Sequence, residues 1–219
     1  LVGSEMCIRD SPGAVGSRDW ERSRLAALYA LAQGDAPVVV ATADGLMART
    51  LPPETLRSLA ITLEVGGQAE LGALAEQLLS AGYTRCEQVE GVGQFALRGG
   101  ILDVFSPLMD QPVRCEFFDD EIDSMGAFDP GTQRRTRNVS SARILPAAEV
   151  LPHCAPGGLP GLADQLTALA EKLAKKQKTE AIVQTLREDA ERLRSGAAPG
   201  AADRYLAAIY PTVTAGVHY

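Results

Sequence analysis

All five phenylalanines of this chain, Phe95, Phe105, Phe117, Phe118 and Phe128, fall between Glu87 and Pro130. A phenylalanine buries more apolar area than any side chain except tryptophan, so a small core is most densely built in this stretch. Its period is mostly two. Phe95 and Leu97 alternate with Ala96 and Arg98, Leu102 and Val104 with Asp103, and Val113, Cys115 and Phe117 with Arg114 and Glu116. Such alternation predicts half-buried antiparallel strands with one face packed and one wet. Gly99-Gly100 supplies the positive φ of a two-residue turn or a bulge, giving a hairpin or one long strand kinked there. Asp119-Asp120-Glu121 reads as a second turn, with Ile122 to Phe128 as the returning strand.

The totals bound what surrounds this stretch. A length of 219 residues suits one or two domains with a real core, and 46% hydrophobic with 22% charged residues is ordinary for a globular protein. No run of eighteen apolar residues exists, so no membrane span and no membrane partner are expected. A net charge of −7 argues against a surface built to neutralise phosphates. The excess is sharpest between Cys86 and Gln133, where ten carboxylates face two arginines, Arg98 and Arg114. Cys7, Cys86, Cys115 and Cys154 lack any CxxC spacing and read as reduced thiols of a cytoplasmic protein.

Along the chain, residues 1–11 (LVGSEMCIRDS) fit nothing downstream and resemble translated adapter sequence more than a targeting signal. Trp20, Leu25, Leu28, Tyr29 and Leu31 recur at helical spacing from Asp19 to Ala32, with Trp20 taken as a core residue. Val38 to Thr42 is a continuous apolar run, the mark of a strand buried on both faces. Asp44 is placed to cap a short helix, Pro52-Pro53 opens another, and Leu59 to Val65 reads as a further strand. Helix, strand, helix, strand suggests part of a parallel α/β layer over 12–63.

Gln68 to Ser80 is amphipathic through Leu71, Leu74, Leu78 and Leu79, with Gly82 at a left-handed cap. One helix on a mostly antiparallel sheet, closed by a last strand from Thr136 to Leu145, makes an α+β domain over 64–147. The remainder, 148–219, is a helical continuation. Its stripes are Leu162, Leu166, Leu169 and Leu173, then Ile182, Leu186, Ala190 and Leu193. Between them Lys175-Lys176-Gln177-Lys178 reads as a solvated helix face before a phosphate-contacting patch.

Few residues recommend chemistry. Gly91-Val92-Gly93-Gln94-Phe95-Ala96 satisfies GxGxxA, but a strand follows it where a dinucleotide site needs a helix N-terminus. No GxxxxGK[ST] exists and no lysine precedes Lys172, so no P-loop and no cofactor site are expected within these residues. Asp119, Asp120, Glu121 and Asp123 are adjacent carboxylates that alternate in direction and stay hydrated, which disfavours a metal site. Ser106 and Ser124 have no histidine near them in sequence, and only His153 and His218 exist. Arg98, on the wet face beside Gly-Gly, reads equally as a bland surface ion pair or as an interface anchor.

QVEGVGQFALRGGILDVF, followed by PVRCEFFDDEIDSMGAFDPGTQRRT, resembles the domain shared by UvrB and the bacterial transcription-repair coupling factors. RTLPPE before it and ILPAAE after it look like the coupling factors more than UvrB. The resemblance runs from about Arg24 to Tyr219 and weakens after Pro160. It implies a fragment cut at both ends: the tail of an NTPase-like first domain, an inserted second domain, and the start of a helical continuation. It further implies a non-catalytic module that docks UvrA. The whole protein would act on stalled RNA polymerase and double-stranded DNA, with ATP and Mg serving a C-terminal motor.

Within that resemblance Arg98 matches the family's UvrA-contacting arginine directly, and Arg85 is a looser match. Asp103, Phe105, Asp120 and Glu121 are further candidates for the contact. A fragment of UvrB itself, with an ATP site upstream, is the rival enzyme reading. A direct DNA-binding module is the other rival, opposed by the acidic excess of the central stretch.

Overall fold

The computed structural model describes residues 19–35, 38–175, 180–212 and 214–219. In chain order the first elements are α1 (Asp19–Gln33), α2 (Ala43–Met47), β1 (Arg49–Thr50), α3 (Pro53–Leu59), β2 (Ile61–Glu64) and α4 (Leu71–Ser80). Six strands follow, β3 (Thr84–Arg85), β4 (Gln94–Arg98), β5 (Ile101–Val104), β6 (Val113–Phe118), β7 (Glu121–Phe128) and β8 (Arg135–Asn138). The chain continues through β9 (Ser141–Ile144), α5 (Gly158–Lys175), α6 (Glu180–Arg194), α7 (Leu206–Ile209) and β10 (Thr214–Ala215). It divides into two compact units: residues up to 48 with 53–149 and 216–219, and residues 49–52 with 150–215.

In the first unit the Phe-rich stretch forms a six-stranded sheet in the order β3-β4-β5-β6-β7-β8. All its pairings are antiparallel except β3 with β4. Arg98 pairs with Ile101, so Gly99-Gly100 is a two-residue turn, with Gly99 at φ 58°. Phe118 pairs with Glu121 across Asp119-Asp120, where Asp119 takes φ 53°. Positive φ at these loop positions matches the twist of a tight hairpin, and aspartate tolerates it better than most residues. Opposite Glu116/Phe117 the register shifts as Asp123 bulges from β7.

The two faces of the sheet are packed differently. One buries Phe95, Leu102, Val104, Val113, Cys115, Ile122 and Met125 against Leu74 and Leu78 of α4. Glu70 caps α4, accepting from Gly72 N at 2.8 Å and Ala73 N at 2.6 Å. At its C-terminus Gly82 adopts φ 84°, and Tyr83 N and Gly82 N donate to Leu78 O and Leu79 O at 3.0 and 3.1 Å. That paired closure satisfies two otherwise unbonded carbonyls. The other face carries a small cluster of Val89, Ala96, Phe105 and Phe128. Further along the same face Arg98 and Phe118 are exposed.

Several expectations are corrected here. The stretch from β2 to β9 is the predicted α+β layer, but no helix–strand–helix–strand parallel layer precedes it among the described residues. Val38, Val39 and Val40 are 80%, 47% and 89% exposed and outside any strand. An apolar run is buried as a strand only when strands flank it, and none does so here. β2 does form, but pairs antiparallel with β9, Ile61 opposite Ile144 through Glu64 opposite Ser141.

The predicted strand over Thr136–Leu145 is two strands, β8 and β9, that belong to different sheets. Trp20 is 43% exposed, because the buried stripe of α1 is Leu25, Leu28, Tyr29 and Ala32. At 3.6 residues per turn Trp20 lies about 140° around the helix from Leu25. Thr42, not Asp44, caps α2, its Oγ1 accepting from Gly45 N at 3.2 Å.

In the second unit α5 and α6 form a helical hairpin. Leu162, Ala163, Leu166 and Ala170 are its buried residues on one helix, with Val183, Leu186, Ala190 and Leu193 on the other. Leu169 and Ile182, expected in the stripes, are 42% and 51% exposed. β1 and β10 pair antiparallel in the same unit. Residues 1–11, Lys176, Gln177 and Lys178 lie outside the described residues.

Burial gives a testable order of thiol reactivity. Cys115, wholly buried in the main core, has its thiol pushed up to about 12, whereas Cys86 and Cys154 are half-buried. With iodoacetamide at pH 8, peptide mass spectrometry should find Cys86 and Cys154 modified well before Cys115. The Cys115 contribution to stability is constant below the unfolded thiol value of 9.0 and declines as pH rises past it.

Candidate docking surface

Sheet register sets the site. Ala96 lies opposite Asp103, Asp103 opposite Arg114, and Arg114 opposite Gly126. All four therefore share the face that lacks α4, with Arg98 two residues beyond Ala96 on β4. Asp103 has no exposed surface. Its Oδ2 accepts from Arg98 Nη2 at 2.7 Å and Arg114 Nη2 at 2.8 Å, and its Oδ1 accepts from Arg114 Nε at 2.7 Å. Each is a charge-assisted bond of near-ideal length, and together they satisfy a carboxylate that would otherwise be an uncompensated buried charge.

Arg114 is held on every side. Its guanidinium lies over the Phe128 ring, 4.7 Å from the centroid, and donates to Gln133 O at 3.5 Å and Gln133 Oε1 at 3.4 Å. The hydrogen bonds and charge of Asp103 push its pKa further up. Gln133, at φ 60°, is fixed in turn by donating to Pro130 O at 2.7 Å and Val89 O at 3.1 Å. Before it, Asp129 Oδ1 accepts from Thr132 N at 2.7 Å and Thr132 Oγ1 at 2.8 Å, which holds the Asp129 carboxyl below its ordinary value.

Arg98 differs from Arg114 in what it leaves free. Its side chain is 48% exposed, with one nitrogen bound to the buried Asp103. A guanidinium carries five N–H donors, so most of those of Arg98 remain available on a restrained side chain. Two residues past Glu116 on the same face of β6, Phe118 is 76% exposed. The site is thus a fixed cation and a bare aromatic ring on an open, strand-built surface. Arginine and aromatic residues are the types that dominate protein interfaces.

The sequence-predicted residues divide into three groups. Arg98 and Arg85 are brought together, lining with Cys86, Glu87, Gln88 and Leu97 a shallow depression of about 510 Å³. Asp103 and Phe105 lie beneath that surface: Asp103 is wholly buried under the arginines, and Phe105 is 8% exposed in the smaller cluster. Asp120 and Glu121 are exposed at the β6–β7 turn, where Asp120 O accepts from Ala69 N at 2.8 Å and Glu121 bridges to Gln68. They have no bond to the Arg98 group.

Arg114 and Phe118 were missed as site residues. Reading β5 against β6 in antiparallel register would have placed Arg114 opposite Asp103. The i, i+2, i+4 alternation would have put Phe118 on the wet face with Arg114. Among the described residues no group of three His, Cys, Asp or Glu side chains is placed to hold a metal ion. Nor is any described helix long and apolar enough to cross a membrane.

Residues 61–150 match the family described as the UvrB interaction domain. The chain is 39% identical over 176 residues to the transcription-repair-coupling factor of Myxococcus xanthus, covering 79% of this chain and 14% of that protein. It is 32% identical over 213 residues to the one from Bacillus subtilis (strain 168), covering 96% of this chain and 17% of the relative. With that of Escherichia coli (strain K12) the identity is 39% over 127 residues, 58% of this chain and 11% of the relative. The chain therefore spans between 11% and 17% of the length of these relatives.

Asp103→Asn removes the charge that both arginines share while keeping the side-chain shape. Urea unfolding of the variant should show a loss of about 2–3 kcal/mol, below the roughly 3–5 of a fully buried pair because Arg98 is half-solvated.

Proposed function

Since residues 61–150 belong to the UvrB interaction domain family, in a chain homologous to transcription-repair-coupling factors, we propose that this chain is the UvrA-docking module of such a factor. In this reading the whole protein displaces RNA polymerase stalled at DNA lesions and hands the site to nucleotide excision repair. The module supplies recruitment. Translocation on double-stranded DNA, with its ATP and Mg, belongs to other parts of the whole protein, and the setting is cytoplasmic. The names of the relatives favour a coupling factor over a piece of UvrB.

The observation that carries the reading is Arg98, restrained through its bond to the buried Asp103 yet half-exposed. A cation whose rotamers are already restricted loses little further entropy on binding, and an Arg sharing a sheet face with an exposed ring suits a partner surface that carries carboxylates. The open face is shallow, as a protein-docking surface is, and unlike a deep small-molecule cleft. The acidic excess around it opposes direct nucleic-acid binding.

Titration calorimetry of the 219-residue chain with UvrA tests the proposal. Saturable binding is expected, with Arg98→Glu weakening it by more than about 2 kcal/mol, as charge reversal at an anchor should. Phe118→Ala should weaken it about tenfold while leaving thermal stability within about 0.5 kcal/mol, since the ring is exposed. A folded wild-type chain that does not bind UvrA would falsify the reading.

A further inference from the structure

The row of polar side chains does not stop at Arg114. On β7 the next position across is Gly126, and over it lies the side chain of Arg135 from the edge strand β8. A Cβ on Gly126 would fall inside the Arg135 stem, its nearest atoms being Nε, Cζ and Cδ. Gly126 is therefore a shelf: its missing side chain lets Arg135 lie flat across the sheet. The Arg135 guanidinium reaches Ser124, with Nη2 to Oγ at 3.3 Å, and Ser124 Oγ donates to Glu116 Oε2 at 3.0 Å. Arg135 itself is exposed, and its guanidinium has N–H donors beyond the one given to Ser124.

We propose that Arg135, laid across Gly126, is a second anchor of the same docking surface and receives a carboxylate of the partner protein. This rests on the docking reading above and extends it from β4 to β8. Charge decides the chemistry. The face alternates arginines with acids, Arg98, Asp103, Arg114, Glu116 and Arg135, and Asp119 and Asp120 stand at its end. A continuous phosphate backbone would meet those acids, whereas separate carboxylates on a folded protein can pair with Arg98 and Arg135 individually. Both outer arginines keep donors open, and the inner one, Arg114, is spent on Asp103 and Gln133.

The test titrates UvrA against the 219-residue chain and its Arg135→Glu, Arg135→Gln and Gly126→Ala variants, with Arg98→Glu as reference. Circular dichroism and thermal melting establish that each is folded. Arg135→Glu should weaken binding at least tenfold and Arg135→Gln several-fold. Gly126→Ala keeps every charge but lifts Arg135 off its shelf, so it should also weaken binding several-fold. The dependence of affinity on salt should flatten for both Arg135 variants. If Arg98→Glu loses binding while folded Arg135 and Gly126 variants bind like wild type, the second anchor is refuted and the docking reading stands. If the folded wild type does not bind, both fall. If the Arg135 variants lose affinity for duplex DNA but not for UvrA, the carboxylate assignment is overturned.

Discussion

The structure turns on one buried carboxylate. Asp103 has no exposed surface, and it is tolerable there because Arg98 and Arg114 supply three short charge-assisted bonds. That requirement also fixes register. A slip of one residue between β5 and its neighbours would turn Asp103 toward Leu74 and Leu78, where nothing could neutralise it. The ion group thus specifies which pairing of near-equivalent alternating strands is the native one. The loop from Asp129 to Gln133 is drawn into the same arrangement, since Gln133 accepts two further bonds from Arg114.

From this follows a division of labour between the faces of the sheet. The α4 face holds the aromatic and aliphatic core, including Phe95 and Met125, and is closed to solvent. The opposite face holds only the small Phe105–Phe128 cluster, which supports the polar row without covering it. Strands are stiffer mounts than loops, and side chains fixed on them hold their spacing to a fraction of an ångström. A surface built this way keeps its spacing without help from a ligand.

Much of this was legible in the chain. The turn at Asp119-Asp120 followed from its residues, Gly99-Gly100 marked a turn or a kink that the structure makes a hairpin, and α4 followed from its leucine spacing and Gly82, because each depends on local backbone chemistry. What could not be read depended on neighbours distant in sequence. Val38–Val40 has strand composition, yet composition does not supply a flanking strand. β2 found its partner in β9, about eighty residues on, which no local pattern announces. Phe118 was counted with the core because phenylalanines usually are, although its parity with Arg114 already placed it on the wet face. Phe105 and Asp103 stand out in the sequence, but nothing in their spacing shows that both are buried. Burial, which separates a contact from its support, is a property of packing and not of spacing.

The pairing of β2 with β9 has a wider meaning. The chain enters the sheet domain along Ile61–Glu64 and leaves along Ser141–Ile144, and the two segments are hydrogen-bonded side by side. Neighbouring strands lie about 4.8 Å apart, so the two ends of this sheet-bearing segment lie close together. Segments whose two ends lie side by side are the kind that tolerate insertion and permutation well.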